Sequence, residues 1–122
     1  MEQPHTEDRV QVAPDRKIST LAGSATAGAD NGNGTATQFN RPNGVAVDSS
    51  GNLYVADESN HRIRKITPAG KVTTLAGSTQ GYKEGAGTEA QFNYPTGVAV
   101  DSSGNVYVVD RDNNRIRKIE YK

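Results

Sequence analysis

An all-β fold built from repeated antiparallel units is predicted by three features of this sequence. A 23-residue stretch occurs twice: Gly44–Ile66 reads GVAVDSSGNLYVADESNHRIRKI, and Gly97–Ile119 reads GVAVDSSGNVYVVDRDNNRIRKI, 53 positions later. Widened to Gln38–Ile66 against Gln91–Ile119, the match holds 22 identities in 29 positions. A shorter match lies upstream of each copy, Lys17–Ser24 (KISTLAGS) against Lys71–Ser78 (KVTTLAGS), displaced by 54. Third, runs rich in Val, Ile, Tyr and Thr alternate with clusters of Gly, Asn, Asp and Ser, the composition of short strands and tight turns. Duplication at this period marks a repeat architecture.

Taken in order, residues 1–16 match neither copy and read as a flexible leader, in which Val10–Val12 has the composition of a short edge strand ended by Pro14. Lys17–Ala22 alternates small and β-branched residues and reads as a strand. Ser24–Asn43 is a long connection rich in Gly, Ala, Asn and Thr, and loops of this length are often binding loops. Gly44–Asp48 is a short apolar strand, turned by Asp48-Ser-Ser-Gly-Asn52 into a second strand, Leu53–Asp57. A polar turn at Glu58–His61 leads to a third strand, Arg62–Thr67, and Pro68-Ala-Gly70 to a fourth, Lys71–Ala76. The cycle then repeats with the loop Gly77–Thr96 and strands Gly97–Asp101, Val106–Asp110 and Arg115–Glu120.

Four short strands per period, joined by three tight turns and one long connection, form the pattern of a β-propeller blade. Leu53-Tyr-Val-Ala and Val106-Tyr-Val-Val lack a polar face, as expected of sheets covered on both sides. The domain reading is therefore a leader (1–16) followed by a two-blade unit (17–122): a lone outer strand at 17–22, a full blade at 44–76 and a partial blade at 97–120. Propellers contain about 4–8 blades, so two cannot close on themselves. The open edges are templates for association, and the expected partner is the chain itself, three copies making six blades, or adjacent repeats of a longer chain.

Composition narrows the function. Fourteen basic residues balance fourteen acidic ones, so no net field draws the chain to nucleic acid or membrane. No apolar run approaches the ~20 residues of a membrane span. The absence of cysteine removes disulfides and thiol catalysis and leaves the compartment undetermined. Catalysis is not expected: of two histidines, His5 lies in the leader and His61 has Asn114 as its counterpart. No group has metal-ligand spacing, and no cofactor is implied. Asp30-Asn-Gly-Asn-Gly34 lacks the carboxylates of a calcium loop and reads as a glycine turn.

Gly44-Val-Ala-Val-Asp, Gly51-Asn-Leu-Tyr-Val-Ala-Asp57 and Asn60-His-Arg-Ile-Arg-Lys-Ile66, with their counterparts in the second copy, resemble the NHL repeat. Thr20-Leu-Ala-Gly followed by Phe39-Asn-Arg-Pro-Asn-Gly44 is similar to its long-loop variety. The resemblance covers roughly 17–120 and implies a propeller whose long loops and Glu58–His61 and Arg111–Asn114 turns share one face. It does not imply one function, since such propellers include binding platforms, lyases and hydrolases, and some bind RNA.

Two sets of site residues follow. Asp57 with Arg62, and Asp110 with Arg115, are expected to form charge-assisted clasps across a tight turn, with Asn60 and Asn113 capping it. The residues that differ between copies on the loop face, Arg41, Asn43, Glu58, His61, Tyr82, Tyr94 and Arg111, are the candidates for ligand contact. Arg62, Arg64 and Lys65, with Arg115, Arg117 and Lys118, form two basic strands, but neighbouring carboxylates offset them and strand alternation splits them between faces. The reading is a non-enzymatic propeller module that self-assembles and presents its loop face to a protein, peptide or glycan. The alternative is a piece of a larger propeller with lyase or hydrolase activity.

Overall fold

The computed structural model describes residues 16–121. The leader up to residue 15, with the strand considered at Val10–Val12, lies outside the described residues. Within them the chain is all-β and has no α-helix, its only helical turns being short 3-10 segments.

Two antiparallel sheets account for the strands. The first has the order β1-β5-β4-β3-β2, formed by β1 (Gly32–Asn33), β2 (Pro42–Val47), β3 (Leu53–Asp57), β4 (Arg62–Ile66) and β5 (Lys71–Gly77). The second has the order β6-β7-β8, formed by β6 (Pro95–Val100), β7 (Val106–Asp110) and β8 (Arg115–Ile119). The duplicated stretch thus supplies three consecutive strands in each sheet. Among the described residues β8 has no partner on its outer edge, whereas its counterpart β4 pairs with β5.

The tight turns form where Gly, Asn and Asp fall. The Asp48 carboxylate accepts from the amides of Ser50 and Asn52, from Asn52 Nδ2 and from the Tyr54 hydroxyl, at 2.8–3.1 Å. Asp101 repeats the arrangement with Ser103, Asn105 and Tyr107. Desolvation pushes the Asp48 carboxyl upward, but the hydrogen bonds outweigh it and hold it at about 2. Asp101 also lies at about 2, chiefly through Asn105.

Alternation along the strands sorts side chains onto two faces. Tyr54, Ala56 and Ile63, with Ala76, meet Phe92, Val106 and Val108 of the second sheet in a core between the sheets. Val55, Ile66 and Val72 point the other way, where Ala22, Phe39 and Leu53 pack on them. The face toward the second sheet is covered, as the apolar strands predicted, whereas the other face is covered only in part, with Val45 and Val47 61% and 58% exposed.

One expected element differs. Lys17–Ala22 joins no ladder. Its counterpart β5 is a strand because it lies between β4 and β1, and among the described residues no strand pairs with Lys17–Ala22. A strand needs a partner for its backbone groups, whatever its side-chain pattern.

Gly77 ends β5 opposite Arg62, with no room for a side chain. Its φ is 95°, and a methyl group there would sit 2.5 Å from His61 O and 2.9 Å from the Phe92 ring. A left-handed conformation costs a non-glycine residue about 1–2 kcal/mol, and overpacking typically adds about 1–3 kcal/mol. Gly77→Ala should therefore lower stability by about 2–5 kcal/mol, read as a reduced urea midpoint at unchanged m-value.

Candidate functional site

The long loops are fixed by a repeated network centred on one arginine per sheet. Arg64 is fully buried, and its Nη1 donates to Asp57 Oδ2 and Gln38 O, both at 2.7 Å. Its Nη2 donates to Asp30 O at 3.0 Å and Asn31 Oδ1 at 2.8 Å. Asp57 Oδ1 accepts from the Asn40 amide, and Asn60 Nδ2 donates to Asp57 Oδ2 and Gly28 O. Arg117 does the same in the second sheet, with Asp110 Oδ2, Gln91 O and Lys83 O, while Asp110 Oδ1 accepts from the Asn93 amide and Asn113 reaches Gly81 O. The Phe39 and Phe92 rings lie 4.8 and 5.0 Å below the two guanidinium groups.

This corrects the expected clasp. Asp57 and Asp110 are its acids, and Asn60 and Asn113 donate to them, but the arginines are Arg64 and Arg117. Arg62 and Arg115 are the direct cross-strand neighbours of the aspartates. The residue two further along lies diagonally on the same face, within reach of a long side chain, and the folded-over loop encloses it. Arg115 instead covers the Tyr82 ring, 4.0 Å from its centroid. Recurrence alone does not choose between the two arginine pairs, since Arg62 and Arg115 stand at a fixed distance from the aspartate just as Arg64 and Arg117 do.

The seven loop-face candidates occupy three places. Four converge where the sheets meet. Glu58 is buried and pairs with Arg111 at 3.2 Å, Arg111 lies over the Tyr94 ring, and the Tyr94 amide donates to His61 Nδ1 at 3.1 Å. The rings of His61 and Tyr94 pack edge to face at 4.6 Å. Arg41 and Asn43 are exposed on the opposite side of the first sheet, where Arg41 holds the position that Tyr94 has in the second copy. Tyr82 stands apart, 43% exposed, over Arg115 and Arg117, with its hydroxyl donating to Glu84 at 2.6 Å.

Arg41 and Tyr94 both have left-handed backbones, φ 59° and 55°, as do His61 and Asn114 at 56° and 57°. Such residues cost energy and persist only where surroundings enforce them. Their recurrence at matched positions makes them part of the repeat's geometry.

His61 Nδ1 accepts a hydrogen bond, so the imidazole is neutral with its proton on Nε2. Burial pulls its pKa below the ordinary 6.5, offset in part by Asp110. A base depressed in the folded state contributes stability above its unfolded pKa and loses it as pH falls. Stability should therefore drop between pH 7.5 and 5.5, and His61→Asn, the residue of the other copy, should flatten that slope in thermal melts across this range.

Among the described residues no three His, Cys, Asp or Glu side chains form a metal-holding group, and no helix is long and apolar enough to cross a membrane.

Comparison with known proteins agrees with the geometry. The NHL repeat family model matches residues 39–66 and 92–119, the two stretches that carry the three-strand units. The chain is 37% identical over 95 residues to Protein SUPPRESSOR OF QUENCHING 1, chloroplastic, from Arabidopsis thaliana, covering 76% of this chain and 9% of that protein. It is 42% identical over 81 residues to NHL repeat-containing protein 2 from Gallus gallus, covering 65% and 11%. The crystal structure of an auxiliary nutrient binding protein from Bacteroides thetaiotaomicron superposes with a TM-score of 0.74 at 32% identity, covering 83% of this chain and 28% of that one. The chain thus spans about a tenth of these relatives and little over a quarter of the solved structure. With two family matches on two structurally equivalent units, it belongs to the NHL repeat family.

Proposed function

We propose that this chain is a recognition module that builds a β-propeller with further copies of itself and offers its loop face to a peptide or glycan. One observation carries the reading. The core between the two sheets has a second set of half-sites, open at the two ends of the molecule. Phe92, Val108, Ala76 and Val98 cover Ala56 and Ile63. Their counterparts Phe39, Val55, Ala22 and Val45 line an open apolar cavity of about 390 Å³. The counterparts of Ala56 and Ile63, namely Val109 and Ile116, are 43% and 68% exposed on the opposite end. Each end presents what the other lacks. Such a heterologous contact closes into a ring when the rotation permits, and three copies give six blades, within the propeller range.

The loop face is the surface left over after that assembly, and the arginine networks hold its loops in one conformation, which lowers the ordering cost of binding. The auxiliary nutrient binding protein superposes on this fold, in keeping with capture of a ligand by such a face. No catalytic step is assigned: Asp48, Asp57, Asp101 and Asp110 are saturated by turn and loop donors, and His61 stands without a second base. RNA is disfavoured because Arg64 and Arg117 are consumed internally.

Light scattering on the eluting protein tests the assembly: three chains of 13.0 kDa, about 39 kDa, is the expected mass. A strictly single-chain species over a wide concentration range overturns it. That result would favour the second reading, in which neighbouring repeats of a longer chain cover both ends, as the small share of each relative covered suggests. For the face, Tyr82→Ala should leave the circular dichroism spectrum and assembly mass unchanged while reducing capture on peptide and glycan arrays.

A further inference from the structure

We propose that residues Lys17–Gly23 of one copy add as a fourth strand along the free edge of β8 in the next copy, so that assembly is sealed by backbone pairing as well as by side-chain packing. The inference rests on the self-assembly reading and specifies its partner surface and register.

The segment already stands where a strand belongs. Leu21 O would lie 3.8 Å from a methyl group on Gly34, and Leu75 O of β5 would lie 3.8 Å from one on Gly87. Gly34 and Gly87 are matched residues with φ of 52° and 53°, and Gly23 and Gly77 close their segments at φ 102° and 95°. Lys17–Gly23 therefore sits against the loop of the first sheet as β5 sits against the loop of the second. It has that half of its contacts, and among the described residues it lacks the other half, a strand in the place of β4. β8 has the complementary lack, since it carries the sequence of β4, Arg-Ile-Arg-Lys-Ile, with an open edge.

Exposure at matched positions marks the same vacancy. Val72 is fully buried in β5, and its counterpart Ile18 is 98% exposed. Beside β8, a groove of about 380 Å³ is lined by Glu84, Ala86, Phe92, Arg117 and Ile119 among others. It runs between the second sheet's own loop and the edge where the added strand would lie.

The pairing of β4 with β5 gives the register. Ile63 faces Ala76, Arg64 faces Thr74, Lys65 faces Thr73 and Ile66 faces Val72, with a bulge at Leu75. Displaced by 53 and 54 positions, these become Ile116 with Ala22, Arg117 with Thr20, Lys118 with Ser19 and Ile119 with Ile18.

Charge order at the junction independently selects a second copy of this chain as the occupant. Within the chain, Glu58 of the first sheet pairs with Arg111 of the second. These two are matched residues, so a following copy places its Glu58 beside Arg111, whose Nε already donates to Asp112, and opposite charges alternate around the ring. The Tyr94 amide donates to His61 Nδ1 within the chain. Across the new junction the Arg41 amide meets Asn114, whose Oδ1 is an acceptor in the same left-handed setting. Both junctions keep an acceptor, although the residues differ.

The chain has no cysteine, which makes cross-linking decisive. Cα atoms of antiparallel partners lie about 4.5–5.5 Å apart, within disulfide range. Ala22→Cys with Ile116→Cys should give interchain disulfides on mild oxidation, seen as dimers and trimers on non-reducing gels, in at least tenfold excess over Leu21→Cys with Ile116→Cys. Ile63→Cys with Ala76→Cys, the matched pair within one chain, should give an intrachain bond and serves as the geometric control. A multi-chain mass without the Ala22–Ile116 cross-link overturns strand addition and leaves self-assembly standing. A single-chain mass at all concentrations overturns both. Thr20→Pro supplies a second reading, since proline removes an amide at an exposed position outside both sheets. It should reduce the multi-chain fraction at least tenfold with the dichroism of the single chain preserved, and an unchanged mass profile would count against the added strand.

Discussion

Arg64→Met is expected to lower the stability of this chain by about 3–5 kcal/mol, the usual cost of removing one partner of a buried ion pair. Both Arg64 and Asp57 are fully buried, so the stranded carboxylate cannot be rescued by solvent. The cost has a second source. Arg64 also donates to the carbonyls of Gln38 and Asp30 and to Asn31, and these acceptors hold the loop 24–43 on the sheet. The expected phenotype is a reduced urea midpoint together with limited proteolysis confined to 24–43. Asp57→Ala combined with Arg64→Met should regain only part of the loss. Removing the charge leaves the Asn40 amide without its acceptor and Asn60 Nδ2 with Gly28 O alone, and an unpaired buried donor costs about 1–3 kcal/mol. Arg117→Met should be milder because Arg117 is 7% exposed, with Glu84 at 3.7 Å as a further solvent-facing partner. A loss below 1 kcal/mol for Arg64→Met would mean that the network is ornamental to the fold.

That network also shows how far the sequence could be read. The strands were legible because each obeys a local rule: Leu53–Asp57 and Arg62–Ile66 are β-branched runs bounded by Asp-Ser-Ser-Gly-Asn and Pro-Ala-Gly, and turn chemistry needs no distant partner. Asp57 was legible as a clasp residue because it repeats. Its arginine was misjudged because sequence proximity favours Arg62, whereas the enclosing loop, some thirty residues upstream, favours Arg64. Lys17–Ala22 fails for the mirror-image reason. Its pattern is that of β5, but strand formation depends on a neighbour that the described chain does not provide. The loop-face residues were legible only as differences between copies. That Glu58, His61, Tyr94 and Arg111 meet at one junction, while Tyr82 stands apart over Arg115 and Arg117, follows from how two sheets pack, which no local pattern encodes. The differences between copies accordingly carry junction geometry as well as surface variety. His61 and Asn114 both offer an acceptor, and Glu58 and Arg111 are opposite in charge.

The open ends give the second large effect. Ile116→Asp should abolish assembly without unfolding the single chain. Ile116 is 68% exposed, whereas its counterpart Ile63 is fully buried between the sheets. Substitution at an exposed position away from packed features typically changes stability by no more than about 0.5 kcal/mol, so the lone chain should melt as before. In the assembled form the same side chain would occupy the equivalent of the Ile63 site, against Ala22, Phe39 and Val55. There the substitution forfeits the burial of an isoleucine, about 1.5–3 kcal/mol, and places a carboxylate among apolar groups without a partner, at a further cost of several kcal/mol. Even 3 kcal/mol per junction raises its dissociation constant on the order of 100-fold. Every junction of a ring carries the substitution, so the effect multiplies around the circle. Light scattering from low micromolar concentration upward should find the single-chain mass for Ile116→Asp, and the multi-chain mass for both the parent and the turn variant Ala69→Asp. If Ile116→Asp retains the parent's mass, the copies do not meet through this face. The open half-sites would then need a covering from outside the chain, in the manner of the repeats that flank each blade in a longer propeller.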